Sequence, residues 1–331
     1  MRRISSDLLL PPSVRPRCGR HYNRYGSVLV PFRRTVHREF LAEIERMCHS
    51  FVQGPLQEQA APLLAALRDY TGWLGWCVWC STHLAPPLGL VGDADAKRMA
   101  AALLVYCGPR LIDDAIDNHR TYKGKRETLL EGLIAAFPDI PPASVRCQVG
   151  LLGSWMTFYG VQRLERHGHP QAARRTLRLC ERVAPGAVLE SLHAGPLSWE
   201  QYCQIVALKA VHYDEILYRN LIDPVPQPLK GRLLRISARL SRLAQYLNDF
   251  RDVADDLHKG QKNLLEWFPS ESDFWMLCQT EVAELVGALD SIPTEAGDAF
   301  SAALVETIDA AARLDKAPSD EAAATQVLGT R

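Results

Sequence analysis

The sequence predicts an all-α protein, and three observations carry that prediction. Apolar residues recur at intervals of three and four from Val36 onward, first as Phe40, Ile44, Met47 and Phe51 and later as Leu63, Leu64 and Leu67. That spacing stacks side chains on one face of a helix. No alternating strand pattern, internal repeat, glycine-rich phosphate loop or nucleophile elbow competes with it. In two separate stretches, oxygen-bearing side chains also recur one helical turn apart, which makes sense only if both stretches are helical.

Composition sets the bounds. A chain of 331 residues with 47% hydrophobic content can bury a large core as one domain or two tightly joined helical halves. Lys plus Arg and Asp plus Glu are 38 each, so no global field argues for nucleic acid or an anionic membrane. Nine cysteines scattered through apolar stretches read as reduced core residues of a cytoplasmic protein. Cys77-x-x-Cys80 stands in an aromatic run without a second pair, so packing explains it better than zinc. No run approaches the ~18 apolar residues that span a bilayer.

Taken in order, residues 1–35 carry eight arginines against one acid, with prolines and glycines interspersed, and are expected to form a flexible basic leader. By composition such a leader is a solvated tail. The helical domain is expected over residues 36–314. Trp73, Trp76 and Trp79 repeat at three, an aromatic stripe that reads as core or as a cavity wall. Residues 94–107 (ADAKRMAAALLVYC) form a helix leading to the first acidic stretch, with a kink expected at Gly108-Pro109.

Helical pattern resumes over 129–137, breaks at PDIPP (138–142) and returns over 145–164. HGHP (167–170) reads as a loop, and Pro185-Gly186 as a turn between two helical stretches. Ser198 is the capping residue of a helix running to Tyr218. DPVPQP (223–228) is a breaker before a long central helix. Residues 274–314 read as two helices split at Ile292-Pro293, and a flexible tail is expected over 315–331.

The chemistry lies in the two acidic stretches. LIDDAIDN (111–118) carries Asp113, Asp114 and Asp117, and LAQYLNDFRDVADDL (243–257) places Asn248, Asp252 and Asp256 at intervals of four, with Asp249 and Asp255 beside them. Alone, the second stretch reads equally as a solvated acidic face balanced by Arg251, His258, Lys259 and Lys262. Two carboxylate faces on separate helices break that tie. Oxygen ligands without thiolate favour a hard cation such as Mg2+, which completes its shell with water and substrate phosphate.

Asp113-Asp114-x-x-Asp117 resembles the first aspartate-rich motif of the class I isoprenoid synthases, and its flank is similar to that of the trans-prenyl diphosphate synthases. Gln245-x-x-Asn248-Asp249-x-x-Asp252 stands where those enzymes carry their second motif. The spacing Asn248, Asp252, Asp256 also matches the asparagine-led metal triad of terpene cyclases, and Asn248-x-x-Arg251-Asp252-Val253-x-x-Asp256 resembles the second motif of squalene and phytoene synthases. The resemblance implies a single-domain all-α bundle around a deep apolar cavity, with three Mg2+ ions bound alongside a prenyl diphosphate. It implies Asp113, Asp114, Asp117, Asn248, Asp252 and Asp256 as metal ligands, and Lys209, Arg251, Lys259 and Lys262 as contacts to the diphosphate. Members of the superfamily often pair as homodimers, and in related cyclases a leader like residues 1–35 can fold over the mouth of the site, where Arg33-Arg34 or Arg20 and Tyr22 would meet the diphosphate.

Elongating prenyl synthases carry a Gly-Lys-x-Arg segment before the first motif and Arg-Arg-Gly after it, which hold isopentenyl diphosphate. Here no Gly-Lys-x-Arg precedes Asp113, and Tyr122-Lys123-Gly124 replaces Arg-Arg-Gly. The sequence therefore favours a terpene cyclase, a lyase acting on farnesyl or geranylgeranyl diphosphate. A prenyltransferase, elongating or coupling, is the alternative. The Arg-Tyr pair that many microbial cyclases carry near the C-terminus is missing.

Overall fold

The computed structural model describes residues 9–312 except 52–56, 75–76, 123–125, 168–169, 193–197, 259–267 and 269. Side chains are further left undescribed at 50–51, 57–60, 71–74, 77–79, 121–122, 126, 170, 190–192, 252–258 and 312. The described residues form an all-α bundle: α1 (Val14–Phe51), α2 (Gln57–Leu74), α3 (Cys77–Thr82), α4 (Asp93–Ile116), α5 (Leu129–Ala136), α6 (Pro142–His167), α7 (Pro170–Leu192), α8 (Trp199–Val206), α9 (His212–Leu221), α10 (Gln227–His258), α11 (Glu271–Leu289) and α12 (Thr294–Ala312). A π-helical segment, Ala207–Val211, joins α8 to α9. Thr121–Tyr122 and Arg126–Glu127 make a two-residue antiparallel pairing after α4.

Local signals explain most of the element ends. Ser198 Oγ accepts the Gln201 amide at 3.2 Å while Gln201 Oε1 accepts the Ser198 amide at 2.8 Å, a complete capping box on α8. Thr128 and Ser270 cap α5 and α11 in the same way, by accepting the amides of Glu131 and Asp273. Among the described residues no helix is long and apolar enough to cross a membrane.

α4 is the central helix. Residues Met99 to Val105 are fully buried on every side, the pattern of a helix surrounded by others. Its main partner is α6, and the two approach closely because Gly108 faces α6. A Cβ on Gly108 would stand 2.0 Å from Thr157 Oγ1 and 2.5 Å from the Gly153 carbonyl oxygen. Backbone cannot swing aside as a side chain can. Gly108→Ala is therefore expected to cost about 1–3 kcal/mol by overpacking. Gly150→Ala, on the same helix α6 but with open space at its Cβ, is expected to stabilise by roughly 0.5–1 kcal/mol through helix propensity. Urea midpoints of the two variants check the contrast.

Two expectations need correction. From Val14 the supposed flexible leader is helix, and its Leu29, Phe32 and Val36 are buried. Its arginines meet acids near and on α12: Arg17 pairs with Asp290 at 2.7 Å, Arg20 with Asp298 at 2.8 Å and Arg24 with Glu295 at 3.0 Å. A charge excess in sequence is thus neutralised in space. Pro185-Gly186 does not separate two helices but lies inside α7. The expected C-terminal tail lies outside the described residues.

Candidate active site

The first acidic cluster forms where α4 ends. Asp117 caps the helix, its amide donating to the Asp113 carbonyl at 3.0 Å, and Asn118 takes the left-handed conformation at φ 53°. The His119 amide then donates to the Asp114 carbonyl at 2.9 Å, which turns the chain back across the helix end.

The three aspartates have different surroundings. Asp114 is buried, and its oxygens accept from Tyr70 Oη of α2 and from Arg110 at 2.8 Å. Asp113 is half-buried and meets Lys209 Nζ at 3.0 Å and Arg110 at 3.4 Å. Burial alone would raise the Asp113 carboxyl, but the Lys209 ammonium and the Arg110 guanidinium outweigh it and hold it below the usual aspartate range. Asp117, also half-buried, has His119 Nε2 4.0 Å from its Oδ2.

Lys209 comes from the π segment. One extra residue in that turn shifts the face that the following helix presents, a distortion common at functional sites. The segment packs tightly on α7: a Cβ on Gly186 would stand 2.8 Å from Leu208 Cβ and 3.0 Å from the Lys209 amide nitrogen. Only a glycine on α7 lets the two backbones come that close. α10 packs against the same segment from another side. Just before it, Tyr202 of α8 donates its hydroxyl to Asp249 of α10, whose other oxygen accepts from Gln245 at 2.6 Å.

The two acidic stretches thus flank one connecting element. Asp113 is held by its lysine, and Asp249 by the tyrosine two turns earlier. Asn248 and Arg251 are half-buried on α10 beside Asp249. Asp252 and Asp256 continue the same helix, but their side chains lie outside the described residues, as do Lys259 and Lys262.

Two turns below Asp113 on α4, Tyr106 stacks on Tyr213 with ring centroids 3.8 Å apart and donates to Asp214 at 3.2 Å. Ser241 of α10 also holds that carboxylate, and burial pushes its pKa up. A polar layer spanning α4, α9 and α10 therefore lies beneath the acidic cluster. The expected deep apolar cavity is not outlined by the described side chains. Trp73, Trp76 and Trp79, assigned to its wall, lie outside them. Hollows of about 420 and 440 Å3 lie between α1 and α12 and on α11. The leader residues assigned to a mouth are engaged elsewhere: Tyr22 donates to Glu306, Arg20 pairs with Asp298, and Arg33 donates to Thr82 at 2.9 Å.

Sequence reasoning missed Arg110, Tyr70 and His119. Arg110 was within reach, since it precedes Asp113 and Asp114 by three and four residues on one helix. Tyr70 is 44 residues away and left no signal. For a divalent cation the donor set fits: one ligand atom each from Asp113, Asp114 and His119 lie within 4.8 Å of one another.

No family model and no curated protein matches the sequence. Solved structures do match in fold. A polyprenyl synthase from Caulobacter crescentus, solved with calcium and isoprenyl diphosphate, superposes with a TM-score of 0.62 at 15% identity, over 88% of this chain and 97% of its own. A geranylgeranyl pyrophosphate synthase from Corynebacterium glutamicum, solved with isoprenyl diphosphate and magnesium, gives 0.56 at 16%, over 90% and 96%. An FPP/GFPP synthase from Zymomonas mobilis gives 0.56 at 16%, over 83% and 98%. These neighbours are prenyl diphosphate synthases. They overturn the terpene cyclase expectation, which had rested on the asparagine-led spacing of Asn248, Asp252 and Asp256 and on the missing Gly-Lys-x-Arg and Arg-Arg-Gly segments. On a helix that spacing presents the same face whichever chemistry follows.

Proposed function

We propose that this chain, which has the all-α fold of the class I isoprenoid synthases, is a trans-prenyltransferase that joins an allylic prenyl diphosphate to a second isoprenoid unit. The observation carrying this reading is the placement of Asp113 and Lys209 in contact at 3.0 Å, on a bundle shaped like the prenyl diphosphate synthases. A carboxylate for a cation and an ammonium for a phosphate oxygen then stand side by side.

In this reading Asp113, Asp114 and Asp117 on α4 and Asn248, Asp252 and Asp256 on α10 hold Mg2+. When bound, the ions supply Lewis-acid neutralisation that makes diphosphate a leaving group. Lys209 and Arg251, with Lys259 and Lys262 beyond the described residues, donate hydrogen bonds to its oxygens. The C1–O bond of the allylic substrate breaks and its electron pair leaves with diphosphate. The double bond of the second unit supplies the electrons of the new carbon–carbon bond, and a proton is then lost. Tyr70 and Arg110 fix Asp114, which keeps the end of α4 in place while charge develops beside it.

The test is an incubation of purified protein with Mg2+ and geranyl, farnesyl or geranylgeranyl diphosphate, each with and without isopentenyl diphosphate. A longer diphosphate formed only with isopentenyl diphosphate supports elongation, and a dimeric hydrocarbon or alcohol from the allylic substrate alone supports coupling. A cyclised monomeric product, or no turnover, would overturn prenyl transfer.

A further inference from the structure

The turn after α4 does more than end a helix. With Asn118 left-handed, His119 is folded back over the aspartates and pinned on both sides. Its amide donates to the Asp114 carbonyl at 2.9 Å, and its own carbonyl accepts the Thr128 hydroxyl at 2.6 Å. The imidazole stands with Nδ1 3.5 Å from Asp114 Oδ1 and Nε2 4.0 Å from Asp117 Oδ2. These separations are too long for good hydrogen bonds. Only one ring nitrogen can serve one ion, and Nδ1 is placed for it: ligands each ~2.1 Å from a metal lie roughly 3.0 Å apart when adjacent and 4.2 Å when opposite, a range that holds the 3.5 Å between Nδ1 and Asp114 Oδ1, with Asp113 in the same set of ligand atoms within 4.8 Å of one another.

We propose that His119 is a ligand of the cation held at the first aspartate cluster, making it a mixed nitrogen and oxygen site that prefers Mn2+ or Co2+ to Mg2+. This rests on the metal-binding reading above. Imidazole adds little to the binding of a hard cation such as Mg2+, which favours carboxylate and water. It adds substantially to binding of first-row transition ions, whose affinity for nitrogen ligands rises along the series. The neighbouring arrangement suits the role. Asp114 is oriented by Tyr70 of α2 and by Arg110 of its own helix α4, which fixes its position relative to the imidazole.

The experiment uses the full chain with inorganic diphosphate and Mn2+, prepared once with natural histidine and once with 15N-histidine, and reads nitrogen coupling by pulsed electron paramagnetic resonance. Wild type is expected to show a 14N coupling that converts to 15N on labelling and disappears in His119→Ala and His119→Gln. Calorimetry is expected to show Mn2+ affinity falling about tenfold or more in both variants, with Mg2+ affinity changed less than about threefold. Circular dichroism confirms that the variants fold, since the hydrogen bonds at His119 are made by its backbone. Mn2+ binding without histidine coupling, or equal weakening of both metals, would overturn the role of His119 while leaving the aspartate site standing. Failure of wild type to bind either cation, with Asp113→Asn behaving identically, would remove both.

Discussion

Replacing Asp113 with alanine is expected to lower kcat by at least ~10^3-fold, a loss on the order of 4 kcal/mol in transition-state stabilisation. The side chain would ligate the proposed cation and contacts Lys209, so its removal would withdraw a metal ligand and also release the lysine that would meet the diphosphate. Clustered aspartates repel one another, so on spacing alone the substitution is expected to cost no stability. The structure revises that expectation. Asp113 is held below the usual aspartate range, against its burial, by Lys209 and Arg110, so its ionised form stabilises the fold. Such a group contributes fully above its unfolded pKa of about 3.9 and loses that contribution as pH falls through the lower folded value. At pH 7 the alanine variant should therefore lose about 1–2 kcal/mol of charge-assisted bonding, enough to lower Tm measurably without unfolding the protein. Asn248→Ala should show the same fall in kcat. Diphosphate release and thermal melts measured on both variants separate the two effects, and wild-type rates in both would tell against the assigned ligands.

The contrast shows what the sequence could express and what it could not. Residue spacing places Asp113 one turn from Asp117, and Asn248 one turn from Asp252, whatever else the chain does. α4, α10, the Ser198 cap and the break at Ile292-Pro293 were legible because each depends on neighbours within a few residues. Ion pairs across the chain were not. The arginines of α1 look like a disordered basic tail until Asp290, Glu295 and Asp298, more than 270 residues later, come alongside. The helix through Pro185 was equally hidden, since it depends on α7 packing against the backbone of Leu208 and Lys209. The π segment carries no composition of its own. The acidic motifs left the choice between a cyclase and a prenyltransferase open, because both use the same helical face.

Glu306→Ala is expected to be the most destabilising change away from the candidate site. Glu306 on α12 accepts from Tyr22 Oη and lies 2.9 Å from His83 Nε2 and 3.6 Å from the Arg33 guanidinium. Arg33 and His83 are themselves buried, and His83 Nδ1 lies 3.1 Å from His21 Nε2. Burial alone would raise the Glu306 carboxyl, but His83 and Arg33 outweigh it and hold it far below the usual range. Alanine removes the carboxylate that ties α1 and the segment after α3 to α12, leaving the buried Arg33 charge without that counterion. Truncating one partner of such a pair costs about 3–5 kcal/mol, a fall in Tm on the order of 10 °C for a chain of this size. Glu295→Ala is the control, because its pair with Arg24 is largely exposed and should cost under ~1 kcal/mol. The cost at Glu306 arises from stranding a buried charge, so Arg33→Met combined with Glu306→Leu should recover much of the stability. Equal melts for the two single variants would mean that α1 is held by its apolar face, Leu29, Phe32 and Val36, and not by the buried charge.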